Sequence, residues 1–376
     1  MKKNIALFFG GVSCEHDISV ITATQVNAAM PKSYDVYPVY IHTNGLLYHG
    51  NPVTDINFHK NPDISQKGII EVCLIAGCKT LYKKVKNKLK PICGVDCAVL
   101  ATHGGSGEDG SLQGYLKMCG IPFSSADVLG SSAGMDKIAL KAFFKGMGLK
   151  VLPSLYFTKR DYIFNPAAFI LRIERELGYP VIVKPSTLGS SIGISVCKNK
   201  EELDRAIDNA LLFDRRILIE RAEQNFIEIN CSAMRIKGGI QTSECEQPVK
   251  WKDFLKFEDK YMSGSMSDIK RIFPAEIDKE TSDKIKNITK EIYKTLNLKG
   301  VIRADFIVSD DVYINEINTI PGSLSYYLWE TEDLPFNMLI DNLIDDALRD
   351  FDEAKKLKTV FHSSVLGGKG KAATKR

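Results

Sequence analysis

The chain alternates between short apolar runs and amphipathic stretches, and that rhythm predicts its elements. Asn4–Phe9 is an unbroken apolar run ending at Gly10-Gly11, as expected of a buried strand. Helical spacing of apolar residues follows from about Ser19 to Met30, and Tyr34–Ile41 returns to strand character. Ile69–Leu74 and Lys79–Tyr82 predict short strands about Gly77, Cys97–Thr102 a further apolar strand, and Ser111–Cys119 a helix. Pro122 and the small-residue stretch Ser124–Gly134 mark a boundary. Beyond it the pattern predicts helices at Lys137–Met147, Ala167–Leu177 and Glu201–Leu211, with strands at Val181–Lys184 and Ile194–Val196. The last third contains strands at Ile217–Glu220 and Ile227–Met234, a polar loop at Lys252–Asp268, a helix at Lys279–Leu296, a hairpin at 303–319 and a helix at Asn337–Phe351. Strands alternating with helices in the first third predict a parallel α/β sheet covered on both faces. Ligands of such sheets sit at the carboxyl ends of the strands, where the glycine-rich loops at Gly10 and Gly104 fall.

The hairpin carries the densest chemistry. Its sequence is Arg303-Ala-Asp305-Phe-Ile-Val-Ser-Asp-Asp-Val-Tyr-Ile-Asn-Glu316-Ile-Asn318-Thr. Period-two alternation puts Arg303 and Asp305 on one face of the first strand, and Glu316 and Asn318 on one face of the second. A turn at Ser309-Asp310-Asp311 brings those faces together. One guanidinium, two carboxylates and a carboxamide then meet, a set of hard oxygen donors that suits Mg²⁺ when phosphates complete its shell. An ordinary surface ion network would use the same residues.

Five other segments admit two readings each. Lys184-Pro-Ser-Thr-Leu-Gly-Ser190-Ser191-Ile-Gly193 follows a strand and could cradle a phosphate or be a plain Gly/Ser turn; it is not the Walker pattern. His103-Gly-Gly-Ser-Gly-Glu-Asp-Gly110 combines a histidine with two acids on a glycine-rich loop, where His103 could be functional or structural. Gly10-Gly-Val-Ser-Cys-Glu15-His16 could hold an ammonium through Glu15, or cap a helix with Ser13. Lys260 and Tyr261 lie in the polar loop, which could close over a site or be merely solvated. Glu220-Arg221-Ala-Glu223-Gln-Asn-Phe-Ile-Glu228 could be a nucleotide-binding hinge or a charged turn.

Composition excludes several classes. The 376 residues are 44% hydrophobic and 26% charged, ordinary for a globular protein of two or three domains. The net charge of +4 is matched by four positive residues in the last ten, so the body is balanced and gives no argument for nucleic acid. The apolar N-terminal run is too short for a signal peptide, and no run is long enough to span a membrane. Nine cysteines without a Cys-x-x-Cys pair favour reduced thiols in a cytoplasmic protein.

Taken in order, these pieces resemble the ATP-grasp superfamily, and within it the D-alanine–D-alanine ligases, over about residues 4–350. The most specific are Gly-Gly-Val-Ser-Cys-Glu-His, His-Gly-Gly-Ser-Gly-Glu-Asp-Gly-Ser-Leu-Gln-Gly, Met135-Asp-Lys137, Val-Lys-Pro-Ser with Gly-Ser-Ser-Ile-Gly, Asp-Lys-Tyr, and Asn-Glu-Ile-Asn-Thr-Ile-Pro-Gly. The resemblance implies an ATP-grasp fold preceded by an N-terminal parallel α/β domain. It divides the chain into 1–125 for the first substrate, 126–214 and 215–356 for the two ATP-grasp halves, and a disordered tail at 357–376. It implies ATP and two Mg²⁺ or Mn²⁺ ions, small amino-acid substrates and a homodimer.

By the same resemblance, Lys137 and Lys184 hold ATP phosphates with Ser191, and Lys260 adds charge at the transferred group. Glu220, Arg221, Glu223 and Glu228 serve adenine and ribose, although the spacing to Glu228 is one residue longer than the family's. Asp305, Glu316 and Asn318 hold metal, while Arg303 and the Gly322 N–H stabilise an oxyanion. Glu15 takes the first substrate's ammonium and His103 neighbours its carboxylate. Ser190 and Tyr261 link to Glu15 on the acceptor side, where a tyrosine at 261 resembles dipeptide-forming members. One departure stands out: after Pro321-Gly322 the chain reads Ser323-Leu-Ser-Tyr-Tyr327, and Tyr327 occupies the place of a serine that grips the acceptor carboxylate. The resemblance thus implies D-alanyl-D-alanine synthesis for peptidoglycan. The alternatives are a ligase with another amino-acid or hydroxy-acid acceptor, or a non-catalytic nucleotide-binding relative.

Overall fold

A computed structural model describes residues 2–249, 271–330, 333–361 and 363. The loop expected at Lys252–Asp268, with Lys260 and Tyr261, and nearly all of the expected tail lie outside the described residues.

Strand β1 (Lys3–Gly10) leads to helix α1 (His16–Ala29) and back to β2 (Tyr34–Ile41), which lies parallel to β1. β7 (Cys97–Leu100) flanks β1 on its other side, also parallel. Only these three strands form the parallel sheet that the sequence pattern predicts. The seven-stranded sheet runs β6-β5-β4-β3-β2-β1-β7, and β3 (Leu47–His49), β4 (Ile70–Ile75), β5 (Cys78–Val85) and β6 (Lys88–Gly94) extend it antiparallel. The reason is connection length. β4–β5 and β5–β6 are joined by two residues each, and so short a link can only send the chain back beside itself.

The stretch Ser124–Gly134, expected as a boundary, contains the helix α3 (Val128–Met135) after α2 (Ser111–Met118). Its small residues serve packing rather than flexibility. A Cβ on Gly130 would stand 2.6 Å from Leu298 and one on Gly134 would stand 2.8 Å from Thr319. Asp136 then caps α4 (Lys137–Gly146), its carboxylate accepting from the N–H groups of Ile138 and Ala139 at 3.0 Å each.

Two four-stranded antiparallel sheets follow. The first runs β10-β9-β11-β8, from β8 (Ser154–Thr158), β9 (Val181–Pro185), β10 (Ser195–Cys197) and β11 (Arg216–Arg221). Helices α5 (Lys159–Phe164), α6 (Pro166–Glu176) and α7 (Lys200–Phe213) accompany it. The second runs β13-β12-β16-β17, from β12 (Ile227–Ile236), β13 (Gly239–Thr242), β16 (Ile302–Val308) and β17 (Val312–Asn318). A two-residue pairing of β14 (Gln247–Pro248) with β15 (Arg271–Ile272) lies between β13 and helix α8 (Lys279–Thr295).

Three apolar cores hold the molecule, and they do not follow chain order. The first joins the N-terminal sheet to the last helix, α9 (Phe336–Ala354), through Leu339, Ile340, Leu343 and Ile344. The second packs Leu140 and Phe144 of α4 against β12, β16, β17 and α8. The third lies under the β8–β11 sheet with α6 and α7. No helix among the described residues is long and apolar enough to cross a membrane.

Candidate active site

Between the two antiparallel sheets and the N-terminal sheet lies a cavity of about 230 Å³, continuous in its lining with a smaller one of about 110 Å³. Lys137, Ser190, Arg303, Asp305, Glu316 and Gly322 line both. The hairpin β16–β17 forms one wall. Its register puts Arg303 opposite Asn318 and Asp305 opposite Glu316, so the four polar side chains meet as the alternation predicts. Arg303 grips Asp305 with both prongs, Nε to Oδ1 at 2.7 Å and a terminal nitrogen to Oδ2 at 2.8 Å; the Asn318 amide donates to Oδ2 at 3.0 Å. Burial alone would weaken the Arg303 charge, but Asp305 outweighs it and keeps the guanidinium protonated.

Two carboxylates and a carboxamide on adjacent strands are a fitting donor set for a divalent cation that takes its other ligands from phosphate oxygens. Among the described residues no group of three or more His, Cys, Asp or Glu side chains could hold a metal alone. Lys137 stands beside these donors, its ammonium 3.3 Å from Glu316 and donating to the Leu188 carbonyl at 2.7 Å.

Glu15, almost fully buried, sits where two turns converge. The Gly189 turn comes so near that a Cβ there would meet both Glu15 oxygens at 2.7 Å. Gly104, at φ +64°, approaches from the other side, where a Cβ would lie 2.6 Å from the same carboxylate. Only glycine permits such a cradle. Ser190, left-handed at φ 52°, donates its hydroxyl to Glu15. Ser191 is left-handed too and lines the larger cavity.

His103 lines the smaller cavity, bonded through Nε2 to the Thr22 hydroxyl at 2.9 Å. Burial lowers its pKa to about 4, so the ring is neutral near pH 7. Thr22 in turn accepts the backbone N–H of Ser323 at 3.1 Å, which ties the His103 loop to the Gly322 segment. Glu108 makes a second tie, accepting the N–H of Gly104 at 3.0 Å and that of Ile320 at 3.3 Å. Burial, together with Glu15, pushes the Glu108 carboxyl up to about 7.

The 3-10 turn Gly322–Leu328 closes the cavity. Ser323, Leu324 and Ser325 are all left-handed, at φ 53°, 51° and 50°, and all are buried. Each costs about 1–2 kcal/mol in that conformation, so the surrounding packing must impose it. Trp329 anchors the far end by donating its indole N–H to Ser232 Oγ at 2.9 Å. Tyr327 faces the larger cavity beneath the Arg271 guanidinium, which lies 3.9 Å from its ring centre.

Two of the residues expected on the nucleotide side, Glu220 and Arg221, are not among those lining the cavity. Glu220 does not face the cavity. Its carboxylate is fully buried between the ammoniums of Lys141 and Lys184. Burial pushes Glu220 upward, but the two lysines overcome it and hold the carboxyl at about 2. Two lysines buried beside each other require such a counter-charge. Arg221 is turned to solvent and does not line the cavity. Lys184, Glu223 and Glu228 do line it, with Leu152, Ile182, Phe226 and Ile307 as apolar walls. Lys184 also reaches the Asn315 side chain at 3.3 Å.

Lys141, Thr22, Glu108 and Arg271 were not singled out from sequence. Lys141 had a local signal, since it lies one helical turn after Lys137 on the same face. Glu108 stood inside a motif already marked by His103.

Two antiparallel sheets about a cation-walled cavity, behind an N-terminal domain with a parallel core, place the protein in the ATP-grasp class of ATP-dependent ligases. Residues 4–126 match the family described as D-ala D-ala ligase N-terminus, and residues 143–345 match D-ala D-ala ligase C-terminus. The D-alanine–D-alanine ligase of Thermosipho melanesiensis is 39% identical over 355 residues, covering 94% of this chain and 95% of its own. That of Caldicellulosiruptor bescii is 36% identical, covering 95% and 98%. Among solved structures, the D-alanine–D-alanine ligase of Helicobacter pylori superposes with TM-score 0.75 at 27% identity, over 92% of this chain and 98% of that one. The VanG D-Ala:D-Ser ligase of Enterococcus faecalis gives 0.77 at 28%, over 92% and 100%. This chain belongs to the D-alanine–D-alanine ligase family.

Proposed function

We propose that this chain joins two D-alanines at the expense of ATP, giving D-alanyl-D-alanine for peptidoglycan synthesis. The observation that carries the reading is the placement of Glu15 beside the Arg303–Asp305–Glu316 group, with Lys137 and Ser190 common to both cavities. An ammonium-binding carboxylate and a phosphate-binding centre thus share one small space.

Adenine would lie among Leu152, Ile182, Phe226 and Ile307, with Glu223 and Glu228 toward its ribose. Lys137 and Lys184 neutralise the phosphates, aided by Ser191. Asp305, Glu316 and Asn318 would hold Mg²⁺ or Mn²⁺, two ions by the family's pattern, and the metal would polarise the phosphates and shield their charge. Glu15, with Ser190, takes the first D-alanine's ammonium, and neutral His103 stands by its carboxylate. A carboxylate oxygen attacks the γ-phosphorus and ADP leaves, which forms an acyl phosphate. The second substrate's amine then adds to the acyl carbon. Arg303 and the Gly322 N–H stabilise the oxyanion of the tetrahedral adduct. The C–O bond to phosphate breaks, phosphate departs and the amine loses its proton. No protein nucleophile is needed; positioning and charge do the work. Lys260 and Tyr261, outside the described residues, are proposed to complete the phosphate and acceptor sides.

We divide the chain for this purpose at about residues 125 and 214, and propose a cytoplasmic homodimer. Tyr327 in the acceptor wall favours a second reading, a ligase of the same chemistry with another amino- or hydroxy-acid acceptor. ADP release with ATP, Mg²⁺ and D-alanine, followed by mass analysis of the product, tests both. D-alanyl-D-alanine as the main product supports the first. Turnover only with another acceptor supports the second, and ATP binding without substrate-dependent ADP release would defeat both.

A further inference from the structure

Among the described residues the cavity presents four cationic side chains, each paired with a carboxylate, and they differ in what that carboxylate is and in how much of the cation the pairing leaves over. Lys137 lies against Glu316, Lys184 against Glu220, and Arg303 spends both prongs on Asp305. The fourth, Arg271, enters from β15 at the side away from Glu15. Its Nε stands 3.2 Å from Glu246, which is itself buried and fixed by the Asn230 amide at 3.1 Å. Backbone bonds in both directions between Asn230 and Glu246, at 2.8 and 2.9 Å, make that mount rigid. The guanidinium carbon lies over the Tyr327 ring, 3.9 Å from its centre, and a quarter of the side chain remains exposed. Glu246 and Tyr327 therefore hold the fork while part of it faces the cavity.

An amino-acid acceptor must bring its amine to the acyl carbon near Arg303 while its carboxylate points elsewhere. That carboxylate needs a cation, because an unpaired anion in so enclosed a space is costly. It also needs one set apart from the phosphate centre and still partly open to the cavity, and Arg271 keeps a quarter of its side chain exposed beyond its contact with Glu246. We propose that Arg271, oriented by Glu246 and by the face of Tyr327, is the residue that binds the acceptor's carboxylate and so selects an α-amino acid over its uncharged analogues. Tyr327 is then a platform for the arginine in place of a small hydroxyl that would grip the carboxylate itself. This rests on the ligase reading above and adds the recognition of the second substrate to it.

The test runs D-alanine and D-alaninamide together with ATP and Mg²⁺ and measures both products by mass. D-alaninamide has no carboxylate to be activated, so it can serve only as acceptor. Wild type should favour D-alanine strongly. In Arg271→Met, which keeps an unbranched side chain over the ring, that preference should fall about 10- to 100-fold, the worth of a charge-assisted bond. Arg271→Lys keeps the charge but not the stacked fork, and its ratio should fall between those of wild type and Arg271→Met. The ratio is internal to one tube and needs only residual turnover. An unchanged ratio in Arg271→Met, or a Lys variant falling as far as the Met variant, would overturn the inference. Wild-type enzyme with hydroxylamine in place of an acceptor separates the two claims. D-alanine hydroxamate shows that the ligase reading stands whatever Arg271 does, whereas its absence would sink that reading first.

Discussion

The hairpin β16–β17 and the turn Gly322–Leu328 lie a few residues apart and wall the same space, yet they are built in opposite ways. The hairpin is regular: its functional groups alternate along two paired strands, and Arg303, Asp305 and Asn318 satisfy one another. The turn runs through three left-handed residues, and the Ser325 hydroxyl has no hydrogen-bond partner among the described residues. Phosphoryl transfer is common to every ligase of this class, so its centre can be carried on standard geometry. On the reading proposed above, the turn belongs to the acceptor wall, and it holds strain maintained by packing.

The largest test of that contrast is Glu316→Ala. It should lower ADP release about 10³-fold or more by removing a metal ligand, with the thermal unfolding transition retained. Near-wild-type turnover would remove the hairpin from the chemistry. Arg303→Met comes next, with kcat expected to drop about 10²- to 10³-fold through loss of oxyanion stabilisation; a change confined to KM would instead make Arg303 a binding group.

Glu220→Gln probes the ion triad that Glu220 forms with Lys141 and Lys184. Leaving two buried ammoniums uncompensated should cost about 3–5 kcal/mol, read by denaturant titration. The same carboxylate sets a pH dependence. Its folded pKa of about 2 lies below the ordinary glutamate value, so its contribution is complete above about 4.5 and is lost as the pH falls from there toward 2. Glu220→Gln should show a weaker acid dependence in that window, and an identical profile would contradict the ion triad.

The smallest effect is expected in the turn. Ser325→Gly removes a left-handed residue and a buried, unpaired hydroxyl, and should stabilise by about 1 kcal/mol. Destabilisation of that size would show that Ser325 is not held in a strained conformation.

This contrast also explains what the sequence could convey. The hairpin was legible because its chemistry lies in one contiguous stretch and follows a period of two. The Glu15 cradle was half legible: its glycines and Ser190 were visible, but not that Gly104 and Gly189 close on one carboxylate from opposite sides. Arg271 and Tyr327 are far apart in the chain, and neither has a local pattern that points to the other. The antiparallel extension was missed because β3 and β6 are short or highly charged, and α3 because its small residues resemble a linker. The place of Glu220 between Lys141 and Lys184 was not legible, because the three residues lie on separate elements and no local pattern joins them.

The central claim is that a carboxylate is activated by phosphorylation before the amine attacks. D-alanine labelled with ¹⁸O in both carboxylate oxygens, turned over with ATP and Mg²⁺, tests it directly. The account predicts one ¹⁸O in each inorganic phosphate released and one retained in the peptide carbonyl. Peptide formed with unlabelled phosphate would contradict it.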